Sequence, residues 1–282
     1  MNDDAPIVIG ALGGSGTRVV AEVLIESGAH FGPVLNRARD NLVFTALFRR
    51  PRWAARVGDE GIHRQLDTFV RYMRGRRYGA ADYARLGASI LDHDPQRDLR
   101  TSMKHVLAAV RERPGTSAAR APLWGWKEPN THVFLPQLIE HFPGLRYIYV
   151  VRHGLDMAYS HNNKQLRVWG RRFGVRAPAP GGPVERAQLE YWIVATRRAL
   201  AAGSRLGERF VLVRYDDLCR EPAREVRRVL ELAGAEVAPQ ELARLAAVVR
   251  TPDSVGRWRE RGTETFSAHQ LAAVESFGFE VG

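Results

Sequence analysis

The residues of this chain best suited by type and spacing to chemistry begin with Gly10-Ala-Leu-Gly-Gly-Ser-Gly-Thr17. This stretch follows an apolar, β-branched run, Pro6–Leu12, and leads into Thr17–Ser27, where Val20, Val23 and Leu24 recur at helical spacing. A strand, a glycine loop and a helix in that order make an anion cradle. The glycines let successive backbone N–H groups converge, and the helix directs its positive end at the same point. Ser15 and Thr17 add hydroxyl donors. Compared with the nucleoside-triphosphate pattern GxxxxGK[ST], Gly10 and Thr17 fit, whereas Ser15 replaces the second glycine and Gly16 the lysine. The missing lysine argues against triphosphate hydrolysis, because that side chain reaches the outer phosphates. The bland alternative is a glycine turn that holds no ligand.

A second constellation is Tyr147–Ser160, YIYVVRHGLDMAYS, an apolar strand ending in Arg152 with Ser160 eight residues on. The planar guanidinium suits phosphate and the serine donates a hydroxyl; the alternative is a pair between Arg152 and Asp156 at the sheet edge. In this order, the loop and the Arg–Ser element resemble the 5′-phosphosulfate and 3′-phosphate elements of sulfotransferases that use 3′-phosphoadenosine-5′-phosphosulfate (PAPS). Those enzymes commonly carry a basic residue before the loop serine, where this chain has Gly14; Arg18, just after the loop, is the candidate replacement. They also follow the arginine with Asp-Pro, where this chain has His153-Gly154. Trp124–Pro129 (WGWKEP), Phe210–Pro222 (FVLVRYDDLCREP) and Asp253–Phe266 (DSVGRWRERGTETF) are similar to further family segments in the same order. The likeness spans most of the chain except about 42–121.

The resemblance implies an α/β fold like that of the P-loop NTPases, a parallel β-sheet flanked by α-helices. It implies PAPS as donor, PAP as product, no required metal, and a hydroxyl or amine acceptor on a small molecule or glycan. It assigns the nucleotide to Gly13, Gly14, Ser15, Gly16, Thr17 and Arg18, to Arg152 and Ser160, to Tyr215, and to Arg257, Trp258 and Arg259 of the closing loop, with Trp258 a candidate for adenine.

Sulfuryl transfer is an in-line displacement that needs positioning, stabilised charge and a proton acceptor. Lys127, at a strand end in a Lys-x-Pro arrangement, is the candidate for charge stabilisation. Asp40, in the irregular segment after the first helix, is the first candidate base and Glu128 the second. Alternation along a strand would send Lys127 and Glu128 to opposite faces. His30, His132 and His153 are chemically able to serve, although such a histidine is more often an ordinary surface or packing residue.

The elements that must position these residues read as alternating strands and helices, which implies a parallel sheet covered on both faces. Leu123–Lys127, Tyr147–Val151 and Phe210–Arg214 join Pro6–Leu12 as strands, and Thr131–His141, Asp156–Gln165, Pro183–Gly203, Glu221–Gly234 and Gln240–Val249 read as helices. Between Leu42 and Val110 the pattern is helical and arginine-rich, broken near Arg50-Pro51, Gly58, Gly75 and Asp94-Pro95, with no residue pattern that suggests chemistry. Glu112–Pro122 reads as a loop, and Gly174–Pro183 as a mobile surface loop. One domain over 1–282, with a mainly helical insertion at about 42–121, is expected.

The 282 residues are 45% hydrophobic and 26% charged, an ordinary globular composition. Lys and Arg total 42 against 31 Asp and Glu, a formal charge of +11 carried almost wholly by arginine. These arginines are spread along the chain, which fits solvated faces and a small anionic nucleotide better than nucleic acid. Cys219 is the only cysteine, which excludes an intrachain disulfide and a cysteine-based zinc site. The acidic start does not resemble a signal peptide, no apolar run approaches the roughly 20 residues that span a bilayer, and a cytoplasmic protein is expected. Two other classes remain: a P-loop kinase or nucleotide hydrolase, and a non-catalytic nucleotide-binding relative. The sequence specifies neither the acceptor nor an oligomeric state.

Overall fold

Alternation along two strands decides the layers of this protein. The computed structural model describes residues 5–92, 99–112, 121–179 and 181–282. Its strands are β1 (Ile7–Ala11), β2 (Gly125–Lys127), β3 (Arg146–Val151) and β4 (Phe210–Arg214), in the order β2-β1-β3-β4. Every neighbouring pair is parallel, with Ile9 opposite both Lys127 and Ile148, and Val151 opposite Arg214. Val8, Tyr147, Tyr149 and Val151 enter one hydrophobic cluster, while Ile7, Ile9, Ala11, Ile148 and Val150 enter the other. A sheet buried on both faces requires this double set of apolar residues.

Helix α1 (Thr17–Glu26) follows β1, and five helices come next: α2 (Leu42–Phe48), α3 (Pro51–Arg56), α4 (Asp59–Met73), α5 (Ala80–Leu91) and α6 (Leu99–Arg111). Their anchor to the sheet is aromatic: the Trp126 ring on β2 lies 5.5 Å from Phe44 on α2 and 4.9 Å from Phe69 on α4. The remaining α-helices are α7 (Leu135–His141), α8 (Gly154–Ala158), α9 (Lys164–Trp169), α10 (Glu185–Gly203), α11 (Tyr215–Arg220), α12 (Pro222–Ala233), α13 (Pro239–Ala246) and α14 (Ala268–Ser276). Helix α12 packs with α1 and α13 on one face of the sheet, and α10 lies in the cluster on the other.

Two expected helices differ in detail. Thr131–His141 is a 3₁₀ turn, Pro129–Phe134, running into α7. Asp156–Gln165 is split into α8 and α9, because the Ser160 hydroxyl accepts a hydrogen bond from the Asn162 amide and turns the chain before α9 starts. The expected break at Asp94-Pro95, residues 113–120 of the expected 112–122 loop and Pro180 of the 174–183 loop lie outside the described residues.

His132 locks the 3₁₀ turn. Its Nδ1–H donates to the Pro129 carbonyl at 2.8 Å and its Nε2 accepts from the Tyr191 hydroxyl at 3.3 Å. Burial depresses its pKa from 6.5 to about 4. As pH falls through 6.5 the unfolded chain takes up a proton that the folded chain refuses until about pH 4. His132 should therefore draw about 3 kcal/mol out of the folding free energy across that window. Urea melts of wild type and His132→Gln at pH 7.5 and pH 4.5 test this, the acid-induced loss being smaller in the variant.

Candidate active site

The loops that leave the carboxyl ends of the four strands surround a cavity of about 590 Å³. Its wall takes Gly13, Gly14, Gly16, Thr17 and Arg18 from the turn after β1, Lys127 and Glu128 from the end of β2, Arg152 from the end of β3, and Tyr215 from the end of β4. Asp40 reaches it from the segment between α1 and α2. Open parallel sheets place ligands at this edge.

The glycine turn is shaped for close approach. Gly16 has φ of 87°, and a Cβ there would stand 2.1 Å from the Tyr215 ring, so conformation and space both demand glycine. No side chain caps α1 and its first turn holds no carboxylate, which leaves its positive end directed at the cavity. Ser15 departs from the sequence reading in orientation: it is buried, and its hydroxyl faces the Met157 sulfur at 3.9 Å. The Gly13 amide donates to Gln165 Oε1 at 2.7 Å, and Gln165 Nε2 donates to Asn130 Oδ1 at 2.9 Å, so the turn is tied to the segment after β2.

Lys127, only 3% exposed, forms an ion pair with Asp40 and donates to the Ala38 carbonyl at 3.0 Å. Asn36 holds Asp40 in turn. Its Nδ2 donates to the carboxylate at 2.8 Å, and its Oδ1 accepts from the Ala38 and Asp40 amides at 2.8 and 2.9 Å. Glu128 shares the wall with Lys127, contrary to the expectation from strand alternation, because β2 ends at Lys127 and Glu128 caps the 3₁₀ turn. Its carboxyl accepts from the Asn130 amide at 2.7 Å and from Asn130 Nδ2 at 2.8 Å. Burial, reinforced by Asp40, raises its pKa.

Arg152 is 5% exposed and bonds to Asp156 Oδ2 at 3.2 Å, to Ser254 Oγ at 3.2 Å and to the Ser254 carbonyl. The pairing with Asp156 is thus present, yet Arg152 also lines the cavity, and its Nε is buried with no partner among the described residues. Asp156 also accepts from the Gly256 amide at 2.8 Å and the Trp258 amide at 3.2 Å, so one buried carboxylate holds the 254–258 segment against β3. Arg257 donates to the Ser254 carbonyl at 3.1 Å, Trp258 is buried and stacks on His153 at 5.0 Å, and Arg259 sits over the Trp258 ring at 4.8 Å. Ser160, Arg257, Trp258 and Arg259 lie outside the cavity wall, as do His30, His132 and His153. His153 instead caps α8 through Nδ1 and bonds the Glu280 carbonyl through Nε2 at 2.7 Å.

Sequence reasoning missed Thr45, Arg49, Asn130, Lys164, Gln165 and Arg250 in this wall. Arg49 and Arg250 had no distinguishing signal in an arginine-rich chain. Lys164 did, as one of just three lysines. Among the described residues no group of His, Cys, Asp and Glu could hold a metal ion.

The fold is shared with sulfotransferase domains. That of the curacin biosynthetic pathway has a TM-score of 0.54 at 15% identity over 99% of each chain. That of the Synechococcus PCC 7002 olefin synthase has a TM-score of 0.51 at 15% identity, over 99% of this chain and 95% of that one. The Sulfotransferase family model matches residues 6–239, and the chain belongs to that family. No curated protein matches it.

Gly16→Ala, forced against Tyr215, should abolish nucleotide-analogue binding in calorimetry while the far-ultraviolet circular dichroism stays near that of wild type. Asp156→Ala removes the acceptor for two amides and a guanidinium. It should cost about 3–5 kcal/mol in urea unfolding and open the 251–262 segment to limited proteolysis; an unchanged cleavage pattern would exclude the tethering role.

Proposed function

We propose that this sulfotransferase takes its sulfuryl group from PAPS and passes it to a hydroxyl or amine. The observation that carries the reading is one cavity in which the glycine turn, Arg152, Lys127 and Asp40 meet. The residues fit the donor in two respects: the turn leaves no room for a Cβ at Gly16, and Arg152 keeps a buried Nε with no partner among the described residues. The backbone amides of Gly14, Gly16 and Thr17, at the N-terminus of α1, would hold the 5′ anion, with Arg18 beside them. Arg152, with Arg250 and Thr251 nearby in the wall, would hold the 3′-phosphate. Bound PAPS supplies the activated sulfuryl group.

Lys127 offsets negative charge that develops during transfer, and Asp40 takes the proton released by the acceptor. Asn36 and Lys127 together fix the Asp40 carboxylate, which restricts it to one orientation. Glu128 is the second candidate base; burial, reinforced by Asp40, raises its pKa, which strengthens it as a proton acceptor once it is ionised. No step in this scheme calls for a metal. The single cysteine suits a reducing cytoplasm.

Calorimetry with PAP, and separately with ATP and magnesium, tests the donor. PAP should bind and ATP–magnesium should bind far more weakly; the reverse order would overturn the reading. Arg152→Ala should weaken PAP about 10- to 100-fold, the range expected for losing hydrogen bonds to a charged group. Asp40→Asn should leave PAP affinity unchanged and lower the rate of sulfate transfer from labelled PAPS by about 10²–10⁴. Full activity in that variant would shift the base to Glu128.

A further inference from the structure

A chain of hydrogen bonds joins the glycine turn to Glu128, and its direction is set by two groups that can only donate. The first is the Gly13 amide, which donates to Gln165 Oε1 at 2.7 Å and so turns the Gln165 amino group away from the turn. That amino group donates to Asn130 Oδ1 at 2.9 Å. The second is the Trp169 indole N–H, which donates to the same Asn130 oxygen at 2.9 Å. Two donors thus hold the Asn130 carbonyl, and its amino group is left to donate to Glu128 Oε1 at 2.8 Å. The Asn130 backbone amide donates to Oε2 at 2.7 Å.

Local structure makes this arrangement possible. Gln165 and Trp169 stand four residues apart on α9, so they share one side of the helix and reach Asn130 together. Asn130 lies in the 3₁₀ turn that Glu128 caps, which brings its side-chain and backbone N–H groups to the same carboxyl. An Asn130 side chain rotated by half a turn would set its oxygen against that carboxyl and its amino group against two donors. Without Gln165 one of those two donors is gone.

These contacts suit an ionised Glu128. Both of its oxygens accept, whereas the neutral acid would have, among the described residues, only the Thr45 hydroxyl at 3.4 Å to receive its proton. The charges around it are mixed. Burial and then the Asp40 carboxylate favour the neutral form, and the Asn130 bonds and the charge of Arg49 oppose them. Lys127 is paired with Asp40, and the Tyr147 phenol on β3 is kept protonated by burial.

We propose that Gln165 is a positioning residue that acts through Asn130 to keep Glu128 an oriented carboxylate, tying a proton-accepting group to the turn that receives the donor. This rests on the reading in which a carboxylate of the wall takes the acceptor's proton. Gln165 itself carries no charge and takes no proton.

Carbon-13 spectra of protein labelled at its glutamate carboxyl carbons follow the ionisation of Glu128, whose resonance is assigned by its loss in Glu128→Gln. Wild type should hold Glu128 as the carboxylate at pH 7.5. Gln165→Leu should raise the titration midpoint by about 1 pH unit, as expected when a hydrogen bond to a charged group is weakened. Gln165→Glu keeps an acceptor for Gly13 but has no N–H for Asn130 at neutral pH, so it should raise the midpoint at least as far; it also decides the matter if the leucine variant does not fold. Asn130→Ala removes the side-chain donor itself and should exceed the leucine variant. The proposal is overturned if the Gln165 variants titrate as wild type does, if Asn130→Ala alone shifts the midpoint, or if wild-type Glu128 is still protonated at pH 7.5. Undiminished sulfuryl transfer from labelled PAPS in both Asp40→Asn and Glu128→Gln would instead sink the proton-accepting reading, and the midpoint would still decide whether Gln165 positions Glu128.

Discussion

All four strands run in the same direction, and the rest of the molecule follows from that constraint. A parallel ladder cannot be closed by tight hairpins, so each strand must hand the chain to a crossover before the next strand begins. Those crossovers start at a common edge, where Ala11, Lys127, Val151 and Arg214 end their strands. Side chains far apart in sequence therefore meet: the glycine turn, Lys127, Arg152 and Tyr215 are brought to one cavity by strand ends alone. The sheet also needs apolar residues on both faces, and the double alternation of Ile7–Ala11 and Arg146–Val151 supplies them.

The second organising feature is electrostatic and buried. Asp156, whose side chain is fully inaccessible, accepts from two amides of the 254–258 segment and from Arg152. An unpaired carboxylate in that position would be strongly unfavourable, so the C-terminal segment and the arginine are mutually required. His153 extends the same junction, capping α8, bonding the Glu280 carbonyl and stacking on Trp258. The His153-Gly154 pair, which departs from the family's Asp-Pro, thus has a structural use at the place where the last residues of the chain pack onto β3.

Charge inside the cavity is arranged in the same manner, with Asp40 and Glu128 each held by a specific donor set. Lys127 and Asp40 restrain each other, and Asn36 sets the turn that presents Asp40. Such preorganisation means that little side-chain order has to be gained when ligands arrive.

The sequence by itself determined what depends on near neighbours. The strand–glycine turn–helix at 6–27, the β-branched strands and the helices after them follow from short-range periodicity and from the conformations glycine alone adopts easily, and the four-strand parallel fold was legible from their alternation. Gly13–Arg18, Lys127, Asp40, Glu128, Arg152 and Tyr215 were singled out from sequence, and all of them line one wall, except that Ser15 within the loop is turned inward. What only the tertiary structure decided depends on contacts between distant segments. Thr45 and Arg49 come from a helical stretch with no motif, Gln165 gains its meaning only by touching the Gly13 amide, and Glu128 joins Lys127 because the strand stops between them. Ser160, Arg257, Trp258 and Arg259 sit outside the wall because the packing around Asp156 and His153, invisible to spacing, sets where their segments lie. The glycine turn specifies an anion site locally, but which residues face that site is settled by how the strand ends converge, and no short-range rule encodes that.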